Sequence, residues 1–526
     1  MGRRIYLYDS TLRDGAQTST VNFTMQNKID LSIALDQLGI DYIEGGWPGA
    51  NPSDDNFFAH LPSLYNSQFV AFGMTKKNGV SADNDPALNA LTNSFASGVC
   101  IVGKSWDFHL TNALQITAQE NEQMILQSLQ YIVAKNKMAM FDAEHFFDGY
   151  KANPSFALQV LKTAYQANPR WIILCDTNGG TLPSEIKEIV LEVVKHIPGK
   201  HLGIHCHNDT GNAVANSLMA VEAGVCQVQG TINGLGERCG NANLISLIPS
   251  LSLKMSYNLG KINLKKLLPT SKLLDEILNK ASDDFAPYVG KFAFAHKGGL
   301  HVSAVNKNPQ SYEHINPSLV GNQRQILVSN QAGRSNIIAR LQALGFDKNY
   351  SNEKVNQLVN LVKQQEDFGY SYDTADASFA LLACKFLENL PNFFELISFK
   401  VQDEKKLTKN NDFHINSEAV IKIKINQKNI IKVAEGKGPV NALDKALRKA
   451  LMFKYKTLKY IKLVDYKVRI LTPQSGTKAI TRVQIQSIDT ATGKTWQTIG
   501  VAENILDASF LALQDSIIYH LWQDKL

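Results

Sequence analysis

One unit repeats eight times over the first 255 residues of this 526-residue chain. A short β-branched or aromatic run ends in a polar or glycine-rich turn, and an amphipathic helical stretch follows. The strand segments are Ile5–Asp9, Tyr42–Gly45, Phe69–Gly73, Val99–Val102, Ala139–Ala143, Trp171–Cys175, Leu202–Cys206 and Val228–Ile232. Helical spacing occupies the intervals, as in Gln26–Leu38, Glu120–Ala134, Ser155–Gln166, Ser184–Lys195 and Gly211–Ala223. Eight alternating β/α units predict a closed (β/α)8 barrel of the TIM type in preference to an open doubly wound sheet. Polar residues gather at the ends of these strands: Arg13, Asp14, Glu44, Glu144, Thr177, His205, His207, Asn233 and Glu237. In such barrels the C-terminal strand ends build the active site.

The rest of the chain follows other rules. Residues 256–395 are expected to form mostly helical linker subdomains, with loops at Ala295–Leu300 and Asn306–Tyr312. Residues 396–526 predict a separate α+β domain. In it a signature occurs twice, Val433–Leu447 and Ile499–Leu513, each copy following alternating strand patterns and running into an amphipathic helix. Two pseudo-repeated β-plus-helix units are the expected result.

Composition excludes several classes. Hydrophobic residues make up 44% and charged residues 19%, as in soluble globular proteins. The net charge of +6 is concentrated from Lys400 onward, where 22 lysines and arginines stand against 12 acidic residues. Those lysines alternate with apolar residues, as in Ile421-Lys422-Ile423-Lys424-Ile425, which reads as the wet face of a sheet in preference to a nucleic-acid surface. Six cysteines without a CxxC pair indicate neither a zinc knuckle nor a disulfide scaffold. With no apolar run of membrane-spanning length and no secretory leader pattern, a cytoplasmic protein with free thiols is expected.

The strongest chemical constellation is His205-Cys206-His207-Asn208-Asp209. In a strand, His205 and His207 share one face and Cys206 points the other way. Two imidazoles on one face can both reach a metal at about 2.0–2.1 Å. Asp14 follows the first strand and Asn241 the eighth, which in a closed barrel neighbours both the first and the seventh. Asp14, His205, His207 and Asn241 therefore converge, and two nitrogen and two oxygen ligands suit a divalent ion, Mn, Mg or Zn. Structural alternatives stay open: a turn or Arg13 pair for Asp14, and a helix N-cap for Asn241.

Three runs, Tyr8-Asp9-Ser10-Thr11-Leu12-Arg13-Asp14-Gly15-Ala16-Gln17, His205–Asp209 and Gly234-Leu235-Gly236-Glu237-Arg238-Cys239-Gly240-Asn241, resemble the metal-dependent aldol-type TIM barrels. That family includes 2-isopropylmalate, homocitrate and citramalate synthases and hydroxymethylglutaryl-CoA lyase, and the resemblance spans essentially the whole chain. The repeated C-terminal part looks like the amino-acid-binding regulatory domain of the synthases, which the lyases lack. Glu44–Pro52 and Phe141–Tyr150 are similar to the citramalate synthase branch. Trp47 there would add bulk that shrinks the acceptor pocket toward a methyl ketone, or would simply pack.

The resemblance implies an acyltransferase that condenses acetyl-CoA with pyruvate. The cation would take the keto acid through its carboxylate and carbonyl oxygens. Arg13 would donate to the nascent alkoxide, and Thr177 to the substrate carboxylate. His301 and Glu144 are the implied bases, and Tyr312 the implied aid to thioester hydrolysis. Members that make isopropylmalate carry a Glu-Asp pair where this chain has Glu144-His145. Feedback inhibition by isoleucine or leucine and a homodimer or larger homo-oligomer are implied as well. The alternatives are 2-isopropylmalate synthase, homocitrate synthase and an inactive amino-acid-binding regulatory protein.

Overall fold

A computed structural model describes residues 2–326, 334–346, 350–407, 413–471 and 479–524. Two compact units emerge: residues 1–294 with 315–323, and residues 295–314 with 324–526.

The first unit is a closed parallel barrel of β1 (Tyr6–Asp9), β2 (Tyr42–Gly46), β3 (Gln68–Met74), β4 (Gly98–Lys104), β5 (Met138–Glu144), β6 (Trp171–Asp176), β7 (Leu202–Cys206) and β8 (Gln227–Gly230), in sequence order around the ring. Closure is made by β8 pairing with β1 in the register Tyr6↔Gln227, Leu7↔Val228, Tyr8↔Gln229 and Asp9↔Gly230. Period-2 alternation sends one set of side chains outward onto the helices: Leu7, Ile43, Ala71, Ile101, Phe141, Leu174, Ile204 and Val228. The opposite set fills the interior, where Tyr8, Tyr42, Val70, Cys100, Met140, Trp171, Ile173 and Cys175 form a separate apolar cluster. Burying each large aliphatic or aromatic side chain contributes about 1.5–3 kcal/mol, so the outer layer dominates the stability of this unit.

Helix ends follow the local chemistry. Thr24 and Asn27 form a reciprocal capping box at the start of Met25–Leu38, and Gly39, at φ 95°, ends that helix in the left-handed conformation. The eighth strand is shorter than its apolar run suggests. Ile232 already belongs to a 3-10 turn, because Asn233 adopts φ 56° and Thr231 turns to bond the returning segment at Ala242. Gly230 permits that return, since a Cβ there would stand 2.3 Å from the Ala242 carbonyl oxygen.

In the second unit the stretch expected as a loop at Ala295–Leu300 instead opens with β9 (Ala295–His296) and enters a helix, Gly299–Lys307. Its strand partner, β10 (Gln325–Ile326), lies about thirty residues away, a pairing that local patterning does not reveal. Helices follow at Arg334–Ala343, Asn352–Phe368 and Asp376–Leu387. The tail then folds twice in the same way. The strands β11 (Glu395–Leu407), β12 (Phe413–Ile425) and β13 (Lys428–Gly436) form an antiparallel meander followed by the helix Pro439–Leu451. The strands β14 (Ile461–Ile470), β15 (Thr481–Asp489) and β16 (Thr495–Ala502) form another, followed by the helix Ile505–Gln523. Ala419, Ile421, Ile423 and Ile425 are buried while Lys422 and Lys424 keep contact with solvent, as the alternation predicts.

Asp9 ends β1 fully buried, accepting the backbone N–H and the hydroxyl of Thr11 at 3.0 and 2.8 Å. Burial, only partly offset by those bonds, pushes its carboxyl from 3.8 up to about 7. A carboxyl that ionises less readily in the fold stabilises it most below pH 3.8, and this contribution is lost as the pH rises through about 7. Asp9→Asn should therefore lose less Tm between pH 5 and pH 8 than the parent protein. Equal losses, measured by thermal unfolding, would refute this assignment.

Candidate active site

The rim at the C-terminal ends of the strands carries the polar groups. On β7, His205 points inward and Cys206 outward into the helix layer. His207, just past the strand, is held by an antiparallel bridge to Asn241, with Asn208 donating to Gly240 (2.8 Å) and Ala242 to Cys206 (3.0 Å). Asp14 arrives from the turn after β1, whose Asp14 and Gly15 amides both bond the Ser10 carbonyl. Its Oδ2 stands 3.3 Å from Nε2 of His205, which is 3.4 Å from Nε2 of His207. Candidate ligand atoms from all three residues lie within 4.8 Å of one another, and all three are buried.

The electrostatics are those of a cation site. Burial opposes charge on Asp14, but Arg13 and the two imidazoles outweigh it and hold its carboxyl well below the usual range. Burial, and next the neighbouring His205, bring the His207 imidazole down to about 3, so its ring is neutral with a lone pair to give. His205 is depressed by burial yet lifted overall by its bond to Asp14. Asn241 is 2% exposed, and among the described residues neither its side-chain oxygen nor its nitrogen has a hydrogen-bond partner; nor has Nδ1 of buried His207. A buried polar atom without a partner costs about 1–3 kcal/mol. One carboxylate, two imidazoles and an amide oxygen fit a divalent cation, which would satisfy the Asn241 oxygen.

Arg13 lies beside this group, with Nη1 3.6 Å from Asp14 and Nε donating to Glu44 at 2.7 Å. Its guanidinium rests on the Phe72 ring at 3.9 Å, and Trp47 meets that ring edge-on at 5.5 Å. Trp47 is thus placed one ring away from Arg13. Glu44 also accepts the Tyr8 hydroxyl at 2.7 Å. Burial pushes the Glu44 carboxyl up, although Arg13 opposes this, and burial likewise raises Asp142.

A second group lines the rim across β4, β5 and β6. Glu144 is the last residue of β5 and is ion-paired to Lys104, its register neighbour at the end of β4. His145, held at φ 56°, donates its amide hydrogen to the Thr177 hydroxyl at 2.8 Å and approaches Asp148 at 3.6 Å. Thr177 therefore serves the Glu144–His145 turn. The Thr177 carbonyl accepts from Arg238, which also grips Asp209 through two bonds of 2.7 Å. His301 and Tyr312 form a third group, inside the second unit, their rings stacked at 4.2 Å.

The sequence reading thus named Arg13, Asp14, His205, His207 and Asn241, which the fold gathers, and Glu144 and Thr177, which it joins through one turn. It missed Lys104, Asp142 and Gln229. Their signal was present but faint: each is a polar residue at an inward-facing position of a barrel strand.

Fold and site together define the class. An HMGL-like model matches residues 4–274, a homocitrate synthase post-HMGL domain-like model matches 288–369, and a LeuA allosteric (dimerisation) domain model matches 373–521. An (R)-citramalate synthase of Aquifex aeolicus is 46% identical, over 100% of this chain and 99% of its own length. That of Geobacter sulfurreducens is 48% identical over 99% and 98%. A 2-isopropylmalate synthase of Halalkalibacterium halodurans is 29% identical over 98% and 96%. The chain belongs to the HMGL-like family, in its (R)-citramalate synthase branch.

Removal of a ligand should abolish cation binding. Asp14→Ala and His207→Ala are each expected to weaken Mn2+ binding by more than the roughly 10–100-fold typical of outer-sphere changes, and to lose metal-dependent turnover. Titration calorimetry with unchanged affinity in either variant would contradict the ligand set.

Proposed function

We propose that this chain condenses acetyl-CoA with pyruvate and hydrolyses the thioester, releasing citramalate and CoA in the service of isoleucine synthesis. The observation that carries this reading is the convergence of Asp14, His205, His207 and Asn241 beside Arg13 at one rim of the barrel. The preference for pyruvate rests on the full-length similarity to (R)-citramalate synthases, against the lower identity to 2-isopropylmalate synthase.

A divalent ion, held by those four residues, would supply Lewis-acid polarisation of the keto acid and a template for its carboxylate and carbonyl oxygens. Arg13 is fixed from below by Glu44 and Phe72, which leaves terminal N–H groups to donate to the oxygen that becomes an alkoxide. Thr177 uses its oxygen to accept the His145 amide and keeps its own hydrogen for the substrate carboxylate. Glu144 is the proposed base for the acetyl methyl group. Its carboxylate is aimed by Lys104 and lies on the same strand face as Asp142. The carbanion carbon then bonds the ketone carbon, the alkoxide takes a proton, and water displaces the CoA thiol. His301 is proposed as a second base and Tyr312 as an aid to that hydrolysis. The twice-folded tail is proposed to bind isoleucine or leucine as a feedback signal and to join two or more copies of the chain; the matching allosteric (dimerisation) domain supports this. Among the described residues no helix is long and apolar enough to cross a membrane, and all six cysteines are free, in keeping with a cytoplasmic place.

Thiol release from acetyl-CoA with pyruvate, 2-ketoisovalerate and 2-oxoglutarate tests the acceptor, and pyruvate should be strongly preferred. Preference for 2-ketoisovalerate would instead establish 2-isopropylmalate synthesis. Lys104→Met should lower kcat on the order of 10–100-fold, part of the 10²–10⁴ that a well-placed base provides, with KM for pyruvate little changed. A loss confined to KM would show that Lys104 binds substrate and does not aim Glu144.

A further inference from the structure

Gln229 is buried in β8, and its side chain points into the barrel interior between two groups of different character. On one side its Oε1 lies 2.9 Å from Nδ1 of His205. On the other its Nε2 donates to Oδ1 of Asp142, across the interior on β5, at 3.4 Å. The Gln229 NH2 group is thus turned toward Asp142, whose oxygen accepts its hydrogen. The opposite flip would set the Gln229 carbonyl oxygen against a carboxylate oxygen in a buried space. With NH2 committed to Asp142, Oε1 faces His205 and takes a hydrogen from Nδ1. In the neutral imidazole that a cation requires, the hydrogen therefore sits on Nδ1 and the lone pair on Nε2. That nitrogen is the one that stands 3.3 Å from the Asp14 carboxylate and 3.4 Å from Nε2 of His207.

We infer that Gln229 is a positioning residue that fixes the tautomer and direction of His205 for cation binding, and that Asp142 fixes Gln229 in turn. This rests on reading Asp14, His205, His207 and Asn241 as the cation site. The relay explains a polar pair, glutamine and aspartate, that stands above the cluster of apolar and aromatic side chains in the barrel interior. It also gives Asp142 a part that needs no contact with substrate. Outer partners of metal-binding histidines act in this way, setting ring orientation and basicity.

The test uses the full chain, freed of metal by chelation and titrated with Mn2+ at pH 8. Gln229→Leu should weaken Mn2+ binding about 10–100-fold while keeping the parent far-UV spectrum and a cooperative melt. Asp142→Asn should lose less, because an asparagine can offer Gln229 either its oxygen or its NH2 group. Parent-like Mn2+ affinity in a folded Gln229→Leu protein, with Asp14→Ala binding lost, would overturn the relay and leave the cation site standing. Failure of the parent protein to bind Mn2+ would overturn both. Should Gln229→Leu not fold, two-bond 1H–15N spectra of the histidine-labelled, Zn2+-loaded parent protein decide the matter. A hydrogen on Nδ1 of His205 supports the relay, and one on Nε2 ends it.

Discussion

The pairing of β8 with β1 is the interaction on which the site depends. Closing the ring in the register Tyr8↔Gln229 and Asp9↔Gly230 brings the turn that carries Asp14 beside the end of β7, which is separated from β1 only by one strand. The same closure makes the segment after β8 return over Gly230 to bridge His207, and that return delivers Asn241. Without it, Asp14 would have no reason to meet His205, His207 and Asn241, which lie far along the chain. The seam is narrow: β7 and β8 exchange only the register pairs Gly203↔Gln227 and Ile204↔Val228, so side chains at its upper end carry much of the alignment.

Charge balance shapes what lies beneath. Asp14, Glu44 and Asp142 are buried within one polar cluster, and Arg13 is the cation that touches two of them among the described residues. Buried carboxylates are tolerated when each finds a cation or a hydrogen-bond donor. Glu44 has Arg13 and Tyr8, Asp142 has Gln229, and Asp14 has Arg13 and His205. A divalent ion would add the positive charge that this acid-rich layer lacks. The polar layer sits at the strand ends and the aromatic layer of Tyr42 and Trp171 lies toward the opposite end, so one cylinder divides into a stable base and a reactive rim.

The tail uses a different economy. Each three-stranded meander buries one face against its own helix, as Ile421 and Ile423 do with Ala442 and Leu443, and Val483 and Ile485 with Ala508 and Ala512. Each presents its lysines, or other polar residues, on the other face. Duplication of one supersecondary unit yields two similar surfaces from little sequence information.

Periodicity along the chain was enough to determine the eight barrel strands, the doubled tail and the shared face of His205 and His207, because alternation and helical spacing are properties of neighbouring residues. Motif content was enough to nominate Arg13, Asp14, Asn241, Glu144 and Thr177. Tertiary structure alone decided that Lys104 pairs with Glu144, that Gln229 stands between Asp142 and His205, that the Thr177 hydroxyl serves the His145 amide, and that β9 pairs with a strand some thirty residues on. Each of these is a contact between strands or loops distant in the chain. Its energy depends on register and closure, quantities that no local stretch of residues contains.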